Sequence, residues 1–223
     1  MSLLAEIQRL TERIYGVTGV NFEEFLIDRE RFLYLSQYDV ACRELSKLAR
    51  VFFRVQGGRL FLGIYYSSHL VQALEAHDPR RGLSEKNVAT FGIFVEEINH
   101  AIHGVLKFID GRVDLAQEHF ALDLELQAKI DTYLVLKYFL AYFNPSKQLE
   151  KLDRLWLRHH LFECEDTNYA LPHLARRYQA ALRLGEKYTR FLDSLPLHER
   201  LEEVRSFREM SYVRKQRYIT MLL

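Results

Sequence analysis

The chain has only two cysteines and four prolines, and each scarcity closes off a class of protein. Cys42 and Cys164 stand far apart and in no CxxC pattern. That leaves neither a disulfide framework nor a structural zinc ribbon, and both thiols are expected to be reduced. Long apolar runs are also missing: the opening MSLLAEIQRLTERIYG carries Glu6 and Glu12, so it is expected to be neither a secretory signal nor a membrane span. A cytoplasmic location follows as the expectation. No GxSxG elbow occurs, which speaks against a serine hydrolase. The run Gln56-Gly57-Gly58-Arg59 lacks the downstream Lys-Ser or Lys-Thr of a phosphate loop and reads instead as a hairpin turn.

What is present is globular in kind. With 48% hydrophobic residues and 27% charge over 223 residues, the chain can bury one sizeable core, or a core with a helical appendage, and has no compositional case for disorder. The formal charge is +1, unevenly spread: from Arg176 to Leu223 there are 11 Lys or Arg against 6 acids, and the rest has 20 against 24. The basic residues are interleaved with acids, which fits a solvated or protein-docking helical surface better than nucleic-acid binding.

Hydrophobic spacing predicts a helix from Leu3 to Tyr15, another from Tyr38 to Leu48, and then a change of period. VFFRVQGGRLFLGIYY places aromatic and β-branched residues on both sides of Gly57-Gly58, a pair suited to a tight hairpin. A serine-capped helix follows, stopped by Pro79. Helices are then expected from Glu85 to Ile109, Leu115 to Phe143, Gln148 to Leu161, Tyr169 to Leu192 and His198 to Leu222. The fold class is therefore α+β: a core over residues 1–144 holding a short antiparallel hairpin, and a helical extension over 145–223 packed on it.

The stretch FVEEINHAIHGVLKF carries the chemistry. At 100° per residue, with Glu96 at zero, His100 falls at about 40°, His103 at about −20° and Glu97 at about 100°, opposite the stripe of Phe91, Phe94, Ile98 and Ile102. This is the pattern of a helix with a solvated polar face. It also sets Glu96, His100 and His103 on successive turns, where their donor atoms can converge on an ion if another element covers that face. Gly92 and Gly104 lie near this face and permit close approach. Glu125 sits at the border of the apolar face of the next helix, Glu118 shares its stripe, and Asp123 and Asp131 point elsewhere toward any Lys or Arg on a neighbouring element. The run HHLFECED, with His159/Glu163 and His160/Cys164 at i,i+4, reads as a charged helix end that a transition metal could also use.

A hairpin, a helix with EExxH and a glutamate on the following helix together resemble the zincin fold of the thermolysin-like metallopeptidases, in the form found in an uncharacterised bacterial family. The resemblance covers roughly Val51 to Tyr138. It implies zinc held by Glu96, His100 and Glu125, with His103 as a further candidate, and Glu97 as the base that activates water. Glu96 stands where that family has a histidine. Two carboxylates and one imidazole make a more negative site, less able to acidify bound water. The expectation is accordingly a zincin-like domain without activity or cofactor that binds a protein partner or a second copy of itself. The alternative is a zinc-dependent hydrolase using the same residues.

Overall fold

The computed structural model describes residues 2–37, 47–112, 117–164, 167 and 169–222. Helix α1 (Leu3–Tyr15) begins where the Ser2 hydroxyl accepts a hydrogen bond from the Ala5 amide at 3.1 Å, satisfying one of the otherwise orphaned first-turn donors. A 3-10 turn at Phe22–Phe25 and helix α2 (Arg29–Ser36) lead toward strands β1 (Ala49–Gln56) and β2 (Arg59–Tyr66). The strands pair antiparallel with Gln56 opposite Arg59. Gly57 and Gly58 take φ of 57° and 70°, the positive values that a two-residue hairpin of matching twist needs at both centres.

Helix α3 (Ser68–Ala76) starts at the Ser67 cap. Then come α4 (Val88–Ile109), α5 (Glu118–Phe143) and α6 (Lys151–Arg158). A π-helical turn at His159–Glu163 precedes α7 (Pro172–Ser194), α8 (Leu197–Glu209) and α9 (Tyr212–Met221). The molecule is α+β, and among the described residues its sheet has two strands. The helix expected from Tyr38 to Leu48, with Cys42 on it, lies outside the described residues except for Lys47 and Leu48, which are not helical.

Helix α2 was not expected, and α6 and α7 begin at Lys151 and Pro172 rather than Gln148 and Tyr169; two further boundaries moved for reasons the contacts show. Helix α4 starts at Val88 rather than Glu85, because Asn87 folds the preceding loop. Its side chain accepts from the Ser84 amide at 2.8 Å and donates to the Gly82 carbonyl at 2.9 Å. The single helix expected from His198 to Leu222 is broken at Met210 and Ser211, both extended. The Lys107 ammonium holds the break by donating to the Arg208 and Met210 carbonyls at 2.8 and 3.3 Å. These oxygens end α8 and have no partner within it.

The core has two parts that meet on α5. Ile7, Ile64, Leu70, Phe91, Ile98 and Leu136 belong to the larger cluster between α1, the hairpin, α3, α4 and α5. The smaller one joins Leu126 and Ile130 of α5 to Leu184, Tyr188, Phe207 and Ile219 of the last three helices. Residues beyond 145 thus pack directly on α5. Gly104 sets the distance between hairpin and α4: a Cβ there would meet the Phe53 ring at 2.4 Å.

The largest correction concerns α4. Its polar face is not solvated: His100 and His103 are 6% and 2% exposed, and Asn99 and Lys107 are also buried. The cover is itself polar, because α5 buries Asp123, Glu125, Gln127, Lys129 and Asp131. Hydrophobic periodicity identifies which side faces apolar neighbours, but it does not report a polar element laid over the other side.

Candidate metal centre

Glu96, Glu97 and His100 on α4 face Glu125 on α5 across the floor of a cleft of about 220 Å³, whose walls include Arg50, Tyr169, Arg177 and Tyr178. Donor atoms of Glu96, His100 and Glu125 all lie within 4.8 Å of one another, the one such group of three among the described residues. The i,i+4 spacing of Glu96 and His100 stacks them on consecutive turns of α4. Glu125 enters from the facing helix, so this part of the expected set is brought together.

Nε2 of His100 and Oε2 of Glu125 are 3.3 Å apart, buried, and without the alignment of a hydrogen bond to each other or to any other group. Two ligands of a tetrahedral ion at zinc–nitrogen and zinc–oxygen bond lengths stand about 3.4 Å apart. The other imidazole nitrogen, Nδ1, is 3.5 Å from Glu97 Oε2, a carboxylate placed to orient the ring and leave Nε2 toward Glu125. Glu96 Oε2 accepts from the Lys129 ammonium at 2.8 Å, and Lys129 is itself only 4% exposed. The floor of the cleft thus holds three carboxylates, with the Lys129 ammonium and the His100 ring as the basic groups set among them.

Titration at the site follows from this crowding. Burial opposes protonation of His100, but Glu125 and Glu97 outweigh it and raise its pKa well above the usual imidazole value. Burial likewise opposes ionisation of Glu125, and His100, Lys129 and Arg177 overcome it and lower its pKa. The Tyr178 phenol is pushed well up by burial and then by Glu125, so it stays an O–H donor at the cleft wall.

His103 does not join this group. Its Nε2 lies 3.0 Å from Asp123 in a second polar cluster, one turn away, where Lys215 of α9 reaches Asp123 at 2.7 Å and Lys107 stands at 3.8 Å. Glu118 does not replace Glu125 either: it pairs with Arg177 at 2.6 Å. The i,i+4 pair of HHLFECED forms as a half-exposed contact, His159 to Glu163 at 2.9 Å, with Cys164 Sγ 3.1 Å from His159. His160 turns away to Glu85. Lys129 and Tyr178 went unnoticed in the sequence. The first could have been found as the i,i+4 partner of Glu125; Tyr178 carries no local signal.

The second cluster has a measurable pH signature. Burial lowers His103 to about 3, so its term makes stability rise as pH climbs from about 3 to about 6.5. Burial raises Asp131 to about 7, against hydrogen bonds from Tyr15 and Gln127, so its term makes stability fall as pH climbs from about 4 to about 7. Each is worth about 4–5 kcal/mol across its window at 1.36 kcal/mol per pKa unit, and the slopes oppose. Asp131→Asn is expected to remove the falling term. Urea unfolding at steps from pH 4 to 7 should show the variant gaining on the parent as pH rises; a constant difference would refute the assignment. Lowered acids such as Asp123 and Glu125 act mainly below pH 4 and His100 above 6.5, outside most of this window.

The chain matches no protein-family model, no curated protein and no solved structure. Among the described residues no helix is long and apolar enough to cross a membrane.

Proposed function

We propose that the cleft is the metal centre of a zincin-like hydrolase, with Glu96, His100 and Glu125 as ligands and Glu97 as the proton acceptor. One observation carries this reading: donor atoms of Glu96, His100 and Glu125 lie within 4.8 Å of one another, with the buried His100 Nε2 and Glu125 Oε2 3.3 Å apart, at ligand spacing. Zinc, when bound, supplies a Lewis acid and a water of lowered pKa. Glu97 lies in the cleft beside His100, placed to take a proton from water. Tyr178 on the wall, kept as an O–H donor, suits a developing oxyanion, and Arg177 beside it is held by Glu118.

A second reading is favoured by Lys129. Its ammonium on Glu96, with a protonated His100 between Glu97 and Glu125, offsets two of the three carboxylate charges without an ion. The domain would then serve as a scaffold for a protein partner, the role expected from the glutamate in the first ligand position.

Metal content separates the two without knowledge of a substrate. Elemental analysis of gently purified protein is expected to give about one zinc per chain on the hydrolase reading, lost in His100→Ala. A parent protein that holds no zinc after dialysis against micromolar zinc leaves the scaffold reading standing.

A further inference from the structure

We propose a second binding site, remote from the metal centre, for a small amphiphilic anion: an acidic head on an apolar body. It is a cleft of about 540 Å³ between the C-terminal half of α5, the loop at 144–150, α6 and the start of α8. That size falls within the range of small-molecule sites. Leu134, Tyr138, Leu149 and Leu197 give it apolar walls, and Lys137, Lys147, Arg154 and Arg200 line it with four cations and no carboxylate.

One of these charges is met from outside the lining: Lys137 pairs with Asp193, which is shared with Arg158 and the Tyr133 hydroxyl. Among the described residues the other three cations have main-chain carbonyls and, for Lys147, the Tyr142 ring as partners. Lys147 donates to Tyr142 at 2.6 Å, Arg154 to Leu149 at 3.4 Å, and Arg200 to Leu195 and Asp193 at 2.9 and 3.0 Å. Arg154 also has a buried Nε without a hydrogen-bond partner. Lys137 bears the crowding: its pKa is lowered by burial and by Arg200 and Arg154, against Asp193.

The apolar part is equally exposed. Leu197 is 80% accessible and Tyr138 50%, and Tyr138 continues through the Tyr142 ring, 6.3 Å away, to Lys147 over that ring at 4.6 Å. Cations at the base and a greasy, aromatic rim call for a ligand with both characters. An inorganic anion would leave the rim unused, and an uncharged alkane would leave the cations uncompensated.

The test is an amide NMR titration of the full chain with decanoate and with decyl phosphate, below their micelle concentrations, against acetate and decanol as head-only and tail-only controls. Saturable shifts confined to residues 134–154 and 195–201 are expected with the first two, and at least tenfold weaker binding with the controls. Stronger binding of decanoate or of decyl phosphate tells which head the site takes. Arg154→Gln should weaken binding about tenfold or more. Leu197→Glu, at a position too exposed to matter for folding, should do the same by adding a negative charge at the rim, and Arg59→Gln at the exposed hairpin turn, on no element that lines the cleft, should change nothing. Shifts scattered over the surface, equal binding of acetate, equal loss in Arg59→Gln, or binding of an acidic peptide alone would overturn the proposal.

Discussion

Glu97→Gln is expected to lower turnover by the zinc-loaded protein about 10²- to 10⁴-fold, the range that loss of a general base costs. Glutamine keeps an oxygen that can accept from His100 Nδ1, 3.5 Å from Glu97 in the parent, so the ring stays oriented and zinc content is expected to hold. An amide cannot take the proton, so chemistry fails while the site remains built. Digestion of a broad peptide library by parent and variant with zinc supplied, following released amines, gives the readout. Equal cleavage by both would remove Glu97 from the chemistry, and a zinc-bound parent that cleaves nothing would return weight to the scaffold reading.

Lys215→Ala is expected to destabilise the fold by about 3–5 kcal/mol, the cost of breaking a buried ion pair from one side. Lys215 is fully buried and sits 2.7 Å from both Asp123 Oδ1 and Gln127 Oε1. Without it Asp123 retains only His103 and the more distant Lys107, and a cavity replaces the lysine stem. Lys215→Met fills most of that cavity and isolates the charge. Adding Asp123→Asn to it should recover part of the loss, since the stranded carboxylate is then neutral. Guanidinium midpoints for the three proteins decide the matter: a Lys215→Met protein as stable as the parent would mean that the pair contributes nothing.

The hairpin was legible because its signal is local: two glycines between β-rich runs admit few other conformations, and they adopt the positive φ angles that turn requires. Most helices followed from periodicity, though α2 did not, and starts and breaks were not legible. Asn87 and Lys107 decide where α4 begins and where α8 ends through bonds to distant carbonyls, and no window of sequence holds both partners. The metal centre was half legible. Glu96 and His100 are tied by helix pitch and Glu125 came from the family resemblance, but the same projection also admitted His103. What separates them is the way α5 is laid on α4, which gives Glu125 to His100 and Asp123 to His103. Burial of the polar face was the main thing missed, since the cover is as polar as the face it hides.

Lys215 also has a place in time. Asp123 is synthesised about 90 residues ahead of it, and at roughly 5–20 residues per second the carboxylate waits several seconds for its main counterion. Until α9 emerges, α4 and α5 can associate only around an acid that lacks its strongest cation, and the nascent chain gains by keeping that end of the pair open to water. The break at Met210 and Ser211 is what turns the late helix back onto the early ones. Helix α9 therefore brings Asp123 its main cation after His103 and Lys107, the other groups beside it, are already in the chain.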